Sequence, residues 1–160
     1  MQRCVLPRRS TLAIRTIVAS SLVLTASATR ADDRDRQCSN RTLSGDYGCE
    51  VRGLLLPAPG VSIEFRGLTL THFDGNGGMT AMESIVVGGN LVSPTWDQSS
   101  GNYSINPDCT GTETSNTPLS PVPVRLHIVV VDNGKKAFGV NDAHALLTTC
   151  VKVESGDRDD

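Results

Sequence analysis

The chain has 160 residues, 38% hydrophobic and only 4% aromatic, with 15 basic and 17 acidic side chains, enough for one domain with one core. Residues 1–31 hold five arginines (Arg3, Arg8, Arg9, Arg15, Arg30) and no acid, so the remainder carries 10 basic against 17 acidic residues, a formal net charge of −7. A chain of that sign repels phosphate backbones and anionic lipid, which argues against nucleic acid as a partner.

The first segment has three parts: an Arg-rich start, the apolar run Ile17–Leu24, and the small residues Ala26-Ser27-Ala28 or Thr29-Arg30-Ala31. This order predicts a secretory signal peptide over 1–31, cleaved after Ala28 or Ala31. The apolar run is shorter than the ~20 residues a spanning helix needs, so no membrane span is expected once the signal is removed. Arg8-Arg9 also resembles a twin-arginine signal, although Thr11 stands where a large apolar residue belongs. A secreted or periplasmic location follows. Residues 32–37 read as a charged flexible segment and 154–160 as a disordered acidic tail.

Four cysteines remain after cleavage: Cys38, Cys49, Cys109 and Cys150. An even count in an exported chain predicts two disulfides. Their wide spacing contains no C-x-x-C knuckle, so zinc is not expected. Spacing alone leaves three pairings open.

Between the termini, residues 38–153 show period-two segments and no sustained helical period. Gly45–Leu56 is a strand with Tyr47, Cys49 and Val51 on one face, broken at Pro57. Val61–Phe73 places Val61, Ile63, Phe65, Thr69, Thr71 and Phe73 together. The bend Asp74-Gly75-Asn76-Gly77-Gly78 superficially resembles a calcium loop. It fails that pattern, with glycine, methionine and isoleucine at the fifth, sixth and twelfth positions, and reads as a hairpin turn. No metal site and no cofactor are expected.

The parity of this bend sets the face of the next strand, Met79–Val87. An even count turns Thr80, Met82, Ser84 and Val86 inward. An odd count turns in Met79, Ala81, Glu83, Ile85 and Val87, burying four apolar residues instead of two. The odd register also aims Glu83 inward near Thr69 and Thr71. A carboxyl there must be hydrogen-bonded, neutral or wetted, which makes Thr69, Thr71 and Glu83 the candidate ligand-binding set.

Leu91–Trp96 is a weak strand interrupted by Pro94. Gly101–Ile105 and Cys109–Thr114 flank an Asn-Pro-Asp turn. In the strand after Pro121, Val122, Val124, Leu126, Ile128 and Val130 share a face. Asp132-Asn133-Gly134-Lys135 suits a type I′ hairpin turn into Lys136–Val140. The last strand, Ala143–Val153, presents Ala145, Leu147, Val151 and Val153 on one side. His72, His127 and His144 have no ligand spacing and read as surface residues. Glu64, Glu83, Asp97 and Glu113 cannot be matched into a catalytic pair, and catalytic residues stay unassigned. Eight or nine short strands predict an all-β fold: a single antiparallel β-barrel of about eight strands, with a β-sandwich as the alternative.

Three stretches carry a resemblance: "CSNRTLSGDYGCEVRG" (Cys38–Gly53), "FDGNGGMTAMES" (Phe73–Ser84) and "SGNYSINPDCTGT" (Ser100–Thr112). Together they resemble a group of small exported bacterial proteins of uncharacterised function. Their shared features are an N-terminal Cys-Ser, Leu-x-Gly-x-Tyr, a Phe-Asp-Gly-x-Gly bend and an Asp-Cys-Thr-Gly turn. The group is in turn similar to the barrel of allene oxide cyclases and dirigent proteins. The likeness implies an eight-stranded antiparallel barrel with a central cavity and transfers no catalytic residue. It also implies Cys38 paired with Cys109, leaving Cys49 for Cys150. With Cys49 on the apolar face and Cys150 opposite Val151, the second bridge would require a bulge.

The function expected from all this is an exported protein binding a small apolar molecule in a barrel cavity. The alternatives are a cyclase- or isomerase-like enzyme using that cavity, and an envelope structural protein with a filled core.

Overall fold

The structure is a computed structural model and describes residues 37–154. The expected signal peptide, all of the 32–37 segment except Gln37, and the tail beyond Glu154 lie outside the described residues. Nine strands form: β1 (Ser44–Ala58), β2 (Val61–Asp74), β3 (Gly78–Val87), β4 (Asn90–Leu91), β5 (Asp97–Ile105), β6 (Thr110–Asn116), β7 (Val124–Val131), β8 (Lys136–Asn141) and β9 (Ala145–Lys152). Eight close into an antiparallel barrel, and β4 is a two-residue addition beside the end of β3. Each barrel strand pairs with its neighbours in sequence, and β9 returns to β1. Short turns make adjacent hairpins, and closure removes the sheet edges that would template aggregation.

Phe73 pairs with Met79, so the bend holds five residues and the odd register is the one formed. Met79, Ala81, Glu83 and Ile85 are buried. The Asp74 carboxylate accepts the N–H groups of Asn76 (2.7 Å), Gly77 (2.9 Å) and Gly78 (2.9 Å). These bonds hold the carboxyl below its ordinary pKa and make Asp74 the cap of its own turn.

Four expectations are corrected. Pro57 does not end its strand. β9 stops pairing at Leu54, so the tip of the β1–β2 hairpin overhangs the barrel, where the missing N–H of proline costs no ladder bond. Leu91–Trp96 is a strand only at its first residue, and the remainder is loop. The face of β9 is the reverse of the one expected. Leu146 and Cys150 are buried, while Leu147 and Val151 are 56% and 48% exposed. Both phases of that strand contain apolar residues, so counting them favours the wrong side. With Cys150 inward and directly opposite Cys49, no bulge is needed at their pairing. The fourth correction, at His144, belongs to the site described below.

The disulfides are Cys38–Cys109 and Cys49–Cys150. The second joins β1 to β9 across the seam that closes the barrel. The first anchors the segment preceding β1 to the β5–β6 turn, where the Cys38 N–H also reaches the Pro107 carbonyl (3.2 Å).

That N-terminal segment plugs one end of the barrel. Asn40–Thr42 is a single 3-10 turn. The Asn40 side chain accepts the Ile105 N–H (2.8 Å), and the Tyr103 hydroxyl donates to the Leu43 carbonyl (2.7 Å) while accepting the Gly75 N–H (2.9 Å). Above the plug, Phe73 packs edge-on against Tyr47 and Tyr103, with ring centroids 5.4 and 5.0 Å apart. Tyr47 donates its hydroxyl to the carbonyl of Gly134 in the β7–β8 turn. That turn places Asn133 at φ 52° and Gly134 at φ 84°, and Asp132 before them is also at positive φ, 54°. A Cβ at Gly134 would stand 1.9 Å from the Thr42 carbonyl oxygen, so only glycine lets the turn dock on the plug.

Candidate functional site

The core lies at the plugged end. Above it, the barrel holds a cavity of about 470 Å³. Its floor includes Phe73 and Met79; its rim is formed by Leu55, Phe65, Val87, Val92, Leu119 and Pro121, at the end away from the plug. Strand alternation produces this wall, because every second residue points inward around a closed sheet. More than half of the lining residues are apolar, and small or hydroxyl residues at Ala81, Ser99, Ser115 and Thr148 leave the space unfilled.

Thr69, Thr71 and Glu83 all line the cavity. Thr69 sits opposite Glu83 in the β2–β3 ladder, and the Thr69 and Thr71 hydroxyls are 3.0 Å apart. Glu83 is 8% exposed. Burial raises its pKa, the Thr117 hydroxyl hydrogen-bonded to it opposes the shift, and nearby Asp97 adds to it by like-charge repulsion. Thr117, just beyond β6, thus braces a carboxyl on β3 from across β5.

A second carboxyl was not placed by the sequence. Glu113, on β6 between Tyr103 of β5 and Leu126 of β7, also lines the cavity. Some of its surface is accessible because the chamber reaches it, yet the surrounding wall desolvates it, and burial pushes its pKa up to about 7. Among the described residues no hydrogen bond or ion pair engages its side chain. It lies four residues closer to the plug along β6 than Thr117, so the two acids occupy different depths. The sequence of β6, Thr-Gly-Thr-Glu-Thr-Ser-Asn, has no apolar residue and so gives no inward phase. Only the register against β7, where Leu126 and Ile128 face inward, could have revealed it.

His144 is the remaining correction: it lines the mouth instead of lying on the outer surface. Buried Asn141 accepts the N–H groups of Ala143 (2.8 Å) and His144 (2.7 Å) and donates to the Arg125 carbonyl (3.1 Å), which folds the β8–β9 corner over the rim. The His144 ring then accepts the Leu56 N–H at Nδ1 (3.2 Å), tying the overhanging hairpin to the same corner. His72 and His127 are exposed on the outer face, His72 bonded to Asp46 at 2.7 Å.

No lysine or arginine among the described residues lines the cavity. Among the described residues no group of three His, Cys, Asp or Glu side chains is placed to hold a metal ion, and no helix is long and apolar enough to cross a membrane. The chamber offers an apolar wall, hydroxyl groups and two carboxyls shielded from bulk water, a setting able to bind an amphiphile or to give and take a proton. Comparison of the chain with protein-family models, curated proteins and solved structures finds no match.

Proposed function

We propose that this chain is an exported binding protein that holds a small, largely apolar molecule inside its barrel. The observation that carries the reading is the cavity itself: about 470 Å³ of apolar-walled space, closed by a plug at one end and entered at the other. Binding pockets for small molecules run roughly 300–1,000 Å³, whereas a barrel serving only as structure packs its interior to crystal-like density. At about 30 Å³ per water-sized group, the space suits a molecule of roughly fifteen non-hydrogen atoms. Thr69, Thr71 and Glu83 offer polar points along that wall. The two disulfides and the signal-like start of the sequence support an oxidising, secreted or periplasmic setting. The resemblance to exported bacterial proteins, and through them to cavity-bearing barrels, supports the same reading.

Titration with an apolar fluorescent probe such as N-phenyl-1-naphthylamine tests it. One saturable site per chain is expected, lost in Ala81→Phe, which fills the chamber from the β3 wall. Absence of saturable binding to the wild type contradicts the reading.

One observation favours a second reading. Glu113, poised near neutrality, shares the chamber with Glu83 and His144, as proton transfer on a bound substrate requires. In a cyclase- or isomerase-like enzyme, Glu83→Gln or Glu113→Gln would abolish turnover and retain ligand. In a carrier neither would alter a chemical step.

A further inference from the structure

The binding reading leaves the chemistry of the ligand open, and the carboxyls constrain it. Among the described residues the chamber presents two acids and no lysine or arginine. Glu83 has a partner in the Thr117 hydroxyl. Glu113 has none among the described residues: the chamber reaches it, and the surrounding wall desolvates its charged form. Its neighbours leave it alone. Leu126 is apolar, and the Tyr103 hydroxyl is committed to the Leu43 carbonyl and the Gly75 N–H. The remaining titratable groups bearing on the chamber are Glu83, Asp97 opposite it in the ladder, and His144 at the rim. Arg125 and His127, adjacent on β7, point outward, and both are exposed.

Resting on the binding reading, we propose that the ligand is an apolar organic cation, with its ammonium group against Glu113 near the floor and its hydrocarbon body along the aliphatic wall toward the mouth. A cation supplies the partner that Glu113 lacks and adds the counter-charge missing from the lining. The aromatic ring of Phe73, at the floor, is a further favourable surface for such a group. A neutral ligand would leave two acids without a counter-ion. An anionic one would add a third negative group to a desolvated space, where like charges repel strongly.

The pH dependence follows from linkage. Burial holds Glu113 at about 7 in the empty chamber, and a bound ammonium lowers that value. Below pH 7 the cation must displace a proton, so its affinity rises with pH and levels off above 7. A neutral ligand accepting a hydrogen bond from the protonated acid would show the opposite trend.

Calorimetric titration of the intact protein with three molecules of one skeleton tests this: 3-phenylpropan-1-amine, 3-phenylpropan-1-ol and 3-phenylpropanoate, at pH 6 and pH 8. The amine is expected to bind at least about tenfold more tightly than the alcohol at pH 8, to weaken at pH 6 with proton release, and to lose its advantage in Glu113→Gln. The carboxylate should bind weakest. An alcohol that equals or exceeds the amine, or an amine indifferent to pH in the wild type, overturns the proposal and leaves the cavity reading intact. Failure of all three to bind also overturns it; if the naphthylamine probe fails as well, the binding reading falls with it. The pH series uses only wild-type protein, so a poorly folding variant does not blunt the test.

Discussion

Glu113 and Gly134 show how single residues are shaped by what surrounds them. Glu113 titrates near 7 when folded against an ordinary 4.5, so the native state holds its proton more tightly than the unfolded chain. Its contribution is therefore favourable at and below pH 4.5 and declines as pH rises to about 7, by on the order of 3 kcal/mol. Glu83 shifts in the same direction. Urea unfolding at pH 5 and pH 8 should show this fall in the wild type and a much smaller one in Glu113→Gln; equal slopes would place the side chain in water. Gly134 is constrained by contact and by backbone together. Gly134→Ala should cost at least about twice the ~1 kcal/mol expected for Gly60→Ala, which has a similar positive φ but open space around it. Thermal melts of the two variants make the comparison, and equal losses would mean the turn does not dock on the plug.

Strands and turns set which residues share a face, and here the sequence was unevenly informative. β2 and β7 alternate well enough that the burial of Phe73, Ile128 and Val130 could be read directly, whereas Met79 and Glu83 turned on the parity of the Asp74–Gly78 bend, which the sequence left open between an even and an odd count. β9 could not: Leu146 and Leu147 offer an apolar residue to either side, and the tie is broken by Cys150, whose partner is distant in sequence. β6 was silent for the opposite reason, having no apolar residue, and its silence hid Glu113. His144 was misread because its place depends on the Asn141 corner, a set of side-chain-to-backbone bonds that no periodicity encodes. The seam disulfide gives this scale its prediction. Cys49 and Cys150 are 101 residues apart, and removing that link by double alanine substitution should cost about 4 kcal/mol on chain-entropy grounds. The denaturant midpoint should fall accordingly, and amide exchange should accelerate first along β1 and β9. An unchanged midpoint would show that the ladder alone secures the seam.

Taken whole, the barrel has two dissimilar ends and two apolar surfaces. The plugged end carries aromatic packing, the Cys38 tether and the docked β7–β8 turn; the other end opens on the chamber. Outside, Val129, Phe138, Val140, Leu147 and Val151 expose apolar side chains on β7, β8 and β9. An apolar molecule could therefore meet this protein within or without, and a binding role for the chamber requires that it bind within. The most direct test is an amide chemical-shift titration of the wild-type protein with 3-phenylpropan-1-amine. Saturation at one equivalent is expected, with the largest shifts at inward positions such as Ala81, Glu83, Glu113 and Leu126 and at the His144 corner. Shifts that never saturate, or that centre on Phe138 and Leu147, would contradict it.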